Sequence, residues 1–263
     1  MVSRPGLLPR RTGALSALLR SLSGIGMAIA VFVGMWALLV HQFQIPAYML
    51  PEPAGVWQAL LSHRAKLGRN FWFTAQSALA GLAISTTFAI ALALAFINSP
   101  AVARATFPLV IALRTVPVIA VAPLITLMVG RGFATSVVVV TIVSFFPLLV
   151  NLMRGLGAVD PGMVELMRVC GAGRWQQIWV VRVPCALPYF FAGLRVAGSA
   201  AILGALLAEW LTGMKGLGYL IIESAELRET ELMWVALFIG MTMALVVFAI
   251  TSAAERATLH WKR

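Results

Sequence analysis

Residues 160–195 read DPGMVELMRVCGAGRWQQIWVVRVPCALPYFFAGLR, and the reading of this stretch decides the fold. It is the longest break in the apolar pattern that carries helical periodicity, basic residues and prolines together. Around it the chain is 61 % hydrophobic and only 11 % charged, whereas soluble domains carry about a quarter charged residues. So few charges could hardly cover a water-exposed surface. The apolar residues also fall into blocks of about 20, the length that crosses a bilayer. The stretch therefore reads as a cytoplasmic docking element in an all-α, polytopic membrane protein.

Working outward, the blocks are 25–40, 71–97, 106–129, 133–152, 187–210 and 232–253. Residues 1–23 form a basic tail, expected to be flexible, and 256–263 a second short tail. The first block continues at spanning length and His41-Gln42-Phe43 is no small-residue cleavage site, so it reads as an uncleaved span rather than a signal peptide. Pro46, Pro51 and Pro53 forbid a regular helix after it, and Val56, Trp57, Leu60 and Leu61 suggest a short amphipathic helix. In the second block Ser77, Gly81, Ser85, Ala89 and Ala93 recur every four residues, a stripe that lets a neighbouring helix approach closely. The third block is interrupted by Pro108, Pro117 and Pro123, which permit kinks.

Six spans put both termini on one side, and the basic residues choose which. The termini, the Arg104 connection and the central stretch hold twelve basic and three acidic residues, while the opposite loops hold six of each. The positive-inside rule then places the termini and residues 160–188 in the cytoplasm. A formal charge of +11 reads as topology, not as nucleic-acid binding, because the basic residues sit between apolar blocks. Cys170 and Cys185 lie within the cytoplasmic stretch, where no disulfide is expected, and two cysteines with three histidines make no metal-site spacing.

Within the stretch, Asp160-Pro161 suits a helix start, since Asp accepts from free backbone N–H groups and Pro fits the first position. Met163, Leu166, Met167 and Cys170 follow at helical spacing. Gly171-Ala172-Gly173 breaks that helix. A second short helix is expected over 174–181, with Pro184 and Pro188 turning the chain back into the membrane. An ordinary interfacial loop would have the same local pattern, so residue physics leaves docking and loop open.

The spacing resembles the EAA loop of binding-protein-dependent ABC importer permeases: Glu165-Leu166-Met167, then Gly171, then Val181, Val183 and Pro184. Leu166 and Met167 stand where that motif has two alanines, so a larger docking surface is expected. Three further stretches, IPAYMLPEPAGVWQAL at 45–60, LRTVPVIAVAPL at 113–124 and AEWLTGMKGLGYLI at 208–221, are similar to the nitrate/sulfonate/taurine subfamily. The resemblance covers most of the chain. It implies a type I permease domain over 24–255 with a coupling loop at 160–188, residing in the cell inner membrane. It implies a second permease copy, two cytoplasmic ATPases, and a periplasmic or lipid-anchored solute-binding protein. The coupling set it implies is Glu165, Leu166, Met167, Gly171, Ala172, Arg174 and Pro184. The solute it implies is small and anionic, such as nitrate, a sulfonate or taurine, although aromatic carboxylates and thiamine-precursor pyrimidines also belong to such systems.

The chain has no Gly-rich loop followed by Lys and Ser/Thr, so ATP and Mg²⁺ are expected on the partner ATPases, and no cofactor here. Arg114, Pro117, Arg195 and Glu209 are candidates for the pathway or gate. An arginine in a span snorkels, pairs or lines water, and Arg195 is expected to find a carboxylate. Gly193, Ala197, Ala201, Ala205 and Glu209 share one stripe, which points Glu209 at a helix seam or dimer interface. Glu223, Glu226 and Glu229, with Glu231, read as a solvated outer face or a docking edge for the binding protein. The rivals are an ion-coupled secondary transporter, which needs charged groups near midplane, and a non-transporting scaffold subunit. An enzyme has no support, because His41, His63 and His260 are scattered.

Overall fold

The structure, a computed structural model, describes residues 12–115 and 117–259, with side chains from residue 24 onward except those of Ile25, Leu113 and Arg114. Among the described residues every regular element is helical. Five long apolar helices could cross a bilayer: α1 (Thr12–Phe43), α3 (Arg64–Asn98), α6 (Phe133–Gly157), α9 (Val183–Thr212) and α11 (Thr230–Thr258). Shorter helices lie between them: α2 (Pro53–Ser62), α4 (Pro100–Thr115), α5 (Val118–Val129), α7 (Pro161–Val169), α8 (Arg174–Gln177) and α10 (Leu217–Glu226). The bundle has a loop end, with residues 158–182, and a far end, with α2, α10 and the turn at Gly130-Arg131-Gly132.

The centre is α6, held between α3 and α9 by the two small-residue stripes. Ser77, Ser85, Ala89 and Ala93 of α3 are buried, and a Cβ added at Gly81 would sit 2.6 Å from Cβ of Val140 on α6. On α9, Ala197, Ala201 and Ala205 are buried, and a Cβ at Gly193 would lie 2.9 Å from Cβ of Asn151. At such closeness hydroxyls reach backbone across the seam: Thr141 Oγ1 donates to Gly81 O at 3.2 Å and Ser144 Oγ to Ala197 O at 3.3 Å. In lipid, where water offers no competing partner, these bonds and the close packing hold the helices together. Helix α1 stands at the edge, touching α11 through Trp36, whose ring centre is 6.0 Å from Trp234 and 5.5 Å from Phe238.

Three expectations need correction. The third block is not one helix. It stops at Thr115 and restarts at Val118, because Pro117 cannot donate and disfavours a helical conformation in the residue before it. Helix α4 packs Val110 among Leu148, Leu149 and Leu152, whereas α5 sets Ala122 and Ile125 against Val139 and Ala208. Helix α4 leans on α3, where Phe107 meets Phe96 edge-on with ring centres 6.4 Å apart, while α5 lies along α6. Second, α1 begins at Thr12, inside the expected flexible tail, and α11 continues to Thr258, inside the expected C-terminal tail; residues 1–11 and 260–263 lie outside the described residues.

Third, the chain does not turn at Pro184. A π-helical turn at Ile178–Arg182 joins α8 to α9 in one rod. The N–H of Val183 reaches back five residues to Ile178 O, and this wider turn accommodates Pro184, which has no N–H to give.

Candidate functional site

The loop-end element is built as a clamp around two short helices. Asp160 Oδ1 accepts from the N–H of Gly162 at 2.9 Å and Pro161 opens α7. The buried Val164 joins Val159 and Val181 in a small core, on which Met167 and Cys185 pack. Leu166 instead is 63 % exposed, and Met163 and Val169 beside it are also exposed. The expected larger surface is therefore divided: Leu166 faces outward, while Met167 anchors the helix to the trunk. Gly171 takes a φ of +77°, a left-handed conformation natural to glycine. The N–H groups of Gly171 and Ala172 then donate to Arg168 O and Met167 O, each at 2.9 Å. Gln176 Oε1 accepts from the N–H of Gly173 at 2.9 Å, and Gln177 Nε2 donates to Ala172 O at 2.9 Å. Two arginines tie the element to the bundle: Arg174 Nη2 donates to Asn98 O at 3.3 Å and Arg182 Nη1 to Leu156 O at 3.0 Å.

At the far end, Glu209 is fully buried where α3, α9 and α10 meet. Its Oε2 accepts from Thr74 Oγ1 at 2.8 Å and from the N–H of Gly218 at 3.0 Å, and its Oε1 from Ser77 Oγ at 3.4 Å. Thr74 Oγ1 accepts from the N–H of Leu217 at 2.9 Å, and Asn70 Oδ1 from that of Gly216 at 2.8 Å. Successive N–H groups at the start of α10, which have no helical partner, are thus met by side chains of α3 and α9. Closeness demands glycine: a Cβ at Gly218 would lie 2.0 Å from Leu206 O, and one at Gly216 2.2 Å from Cδ of Glu209.

Residues 85–260 match the family described as binding-protein-dependent transport system inner membrane component. The chain belongs to this family. The permease is 31 % identical over 243 residues to the riboflavin transport system permease protein of Chloroflexus aurantiacus, covering 91 % of this chain and 90 % of the relative. It is 32 % identical over 221 residues to the formylaminopyrimidine transport permease protein of Halalkalibacterium halodurans, covering 82 % and 87 %. The taurine transport system permease protein of Escherichia coli is 23 % identical over 240 residues, covering 89 % and 87 %. In fold, the permease is similar to a crystal structure of an amino acid ABC transporter with histidines, with a TM-score of 0.62 at 20 % identity, covering 76 % of this chain and 97 % of that one. It is a multi-pass inner-membrane permease subunit of an ABC importer, a family that works with ATPase and solute-binding partners.

The permease brings Glu165, Leu166, Gly171, Ala172 and Arg174 to one end of the bundle, with Pro184 at the foot of α9. Glu165 pairs with Arg168 at 3.4 Å, in the open. Arg195 finds its carboxylate in Glu255 of α11. The seam occupied by Glu209 is internal to one subunit. Pro117 marks the helix break, and the side chain of Arg114 lies outside the described residues. The acidic cluster is not a uniform solvated face: Glu226 is exposed, but Glu229 and Glu231 are half-buried, and Glu223 pairs with Lys66 at 2.7 Å and accepts from the Tyr219 hydroxyl at 3.1 Å. Asn70, Thr74 and Ser77 were not expected from the sequence, except that Ser77 belonged to the small-residue stripe.

The hydrogen bond from Lys66 holds the Glu223 carboxyl below its ordinary value of 4.5. A lowered folded-state value adds stability that is present above 4.5 and is lost as pH falls through the folded-state value. Both side chains are partly exposed, so the contribution is below about 1 kcal/mol. Thermal unfolding should show wild type slightly more stable than Glu223→Gln at neutral pH, with the gap closing under acid; a gap that widens under acid would contradict the pairing.

Proposed function

We propose that two copies of this permease form the solute pathway, with the loop end cytoplasmic and gripped by the ATPases and the far end receiving the binding protein. The excess of basic residues at the loop end and termini supports that orientation. The observation that carries the reading is the form of the loop-end element: a capped helix presents Leu166 outward, is anchored inward by Val164 and Met167, and ends at a left-handed glycine. Such an element accepts a push at its exposed face and passes it through Arg174, Arg182 and the π-helical turn to α3, α6 and α9. Arg195 with Glu255, and the Pro117 break between α4 and α5, are proposed to lie near the moving part of the pathway. Glu226 is the cluster's most accessible candidate for binding-protein contact.

For the solute, relatives named for riboflavin and a formylaminopyrimidine match at 31 % and 32 % over 91 % and 82 % of this chain. One named for aliphatic sulfonates, from Bacillus subtilis, matches at 31 % over 57 % of this chain, and the taurine relative stands at 23 %. The breadth of the first two matches favours a small nitrogen heteroaromatic over a nitrate, sulfonate or taurine. The test is uptake into proteoliposomes holding permease, ATPase and the cognate binding protein. Riboflavin or a pyrimidine should be taken up with ATP and should compete with labelled solute, while taurine and alkyl sulfonates should not. Uptake of taurine or a sulfonate alone would overturn the heteroaromatic reading and leave the importer intact. Solute accumulation driven by an ion gradient without ATP would overturn the importer mechanism.

A further inference from the structure

Two cavities of opposite chemistry meet at the loop end. One, of about 370 Å³, is lined by Arg168, Arg174, Arg182, Asn98 and Gln177, and no carboxylate lines it. The other, of about 280 Å³, is wholly apolar, lined by Ile90, Leu94, Leu156, Trp179, Val183 and Phe190 among others. No residue lines both, but α3 and the long rod contribute neighbouring residues to each. On α3, Ile90, Leu94 and Asn98 follow at four-residue spacing along one face. On the long rod, Ile178 and Arg182 of the polar cleft adjoin Trp179 and Val183 of the groove. The Arg182 guanidinium itself donates to Leu156 O, and Leu156 lines the groove. The groove lies between helices long and apolar enough to span a membrane, and the cleft lies where α3 ends at Asn98.

We infer that this pair of cavities is a binding site for an anionic phospholipid, with the phosphate among Arg168, Arg174 and Arg182 and an acyl chain along Leu94, Trp179 and Phe190. Arginine presents a planar fork of donors that matches phosphate oxygens. Arg174 and Arg182 are already oriented by backbone carbonyls, so little ordering remains on binding. Arg168 is shared with Glu165 at 3.4 Å, an exposed pair that a phosphate can displace at small cost. Trp175 and Trp179, stacked edge-on with ring centres 5.7 Å apart and both exposed, sit where aromatic rings anchor at the headgroup level. A free phosphate would use the arginines but leave the groove empty. An acidic protein segment would have no use for an apolar channel running into the membrane. The site rests on the membrane placement of the helices and not on which solute is imported.

The test is native mass spectrometry of the assembled permease–ATPase complex with added phosphatidylglycerol or phosphatidylcholine. Phosphatidylglycerol should be retained preferentially, and Arg174→Gln or Arg182→Gln should each lower its retention roughly fivefold, the usual worth of one basic residue at an anionic surface. Leu94→Trp, which fills the groove and leaves the arginines in place, should lower retention of phosphatidylglycerol too. Monodisperse elution of each variant separates lost binding from lost folding. Equal retention of both lipids, or indifference to all three substitutions, would overturn the site. Displacement of the lipid by millimolar inorganic phosphate would assign the arginines to a free anion instead. Loss of the ATPases from the arginine variants with lipid retention unchanged would assign them to protein docking.

Discussion

Gly218→Ala is expected to prevent the permease from accumulating in folded form. The new methyl carbon would lie 2.0 Å from the carbonyl oxygen of Leu206, a backbone atom inside α9 that cannot swing away. Helix α10 must then lift off α9, and lifting separates the N–H of Gly218 from Glu209 Oε2, now 3.0 Å apart. The carboxyl group stays buried with the hydroxyls of Thr74 and Ser77 as its side-chain donors among the described residues. Losing one hydrogen bond of a buried group costs about 1–3 kcal/mol, and the clash with the backbone adds to it, against a total stability of about 5–15 kcal/mol for a typical domain. Gly68→Ala supplies the control, because a Cβ there meets nothing within 4 Å and the residue lies inside α3. It should gain about 1 kcal/mol from helix propensity. Yield and thermal unfolding of the detergent-purified subunit check both. Equal yield of Gly218→Ala and Gly68→Ala would mean that the far-end junction does not hold the fold as described.

Gly171→Val should leave the subunit folded but uncouple it. A Cβ at Gly171 meets nothing within 4 Å, so space is not the obstacle. The obstacle is the φ of +77°, where an ordinary L-residue pays about 1–2 kcal/mol and a β-branched one is a clear outlier. The loop would relax into another conformation and turn α7 relative to the rod that begins at Arg174. About 1.4 kcal/mol is a factor of ten in population, so ATP-driven uptake should fall about tenfold or more while thermal stability changes little. Gly171→Asn, better tolerated in the left-handed region, should recover part of the activity. Wild-type uptake by the valine variant would show that α7 moves no differently when its hinge is altered.

Much of this fold is legible in the sequence because lipid imposes strong rules. Blocks of spanning length gave α3, α6, α9 and α11, and the small-residue stripes pointed to the seams that α6 fills. Asp160-Pro161 and Gly171 marked both ends of α7, since capping and left-handed turns depend on only a few neighbouring residues. The break at Pro117 was less legible. Pro108 and Pro123 lie inside helices while Pro117 stands between two, and the difference goes with their partners, since α4 rests on α3 and α5 on α6. Pro184 misled for a related reason, because a π-helical turn can absorb a proline that would otherwise end the rod. The junction around Glu209 was hidden most deeply. Its stripe aimed the side chain at a seam, but Thr74 lies 135 residues away and Asn70 meets Gly216 across 146. Leu166 and Met167 looked alike as bulky replacements, and only the packing of Val159, Val164 and Val181 separated the outward residue from the anchor.

Coupling through the loop end is tested most directly by placing a photoreactive amino acid at position 166 or at 226 in the complete complex of permease, ATPase and binding protein. Light should join position 166 to the ATPase, with a yield that changes when ATP is added, and position 226 to the solute-binding protein. An ATPase adduct at 226, or none at 166 in a complex that still imports solute, would contradict the account.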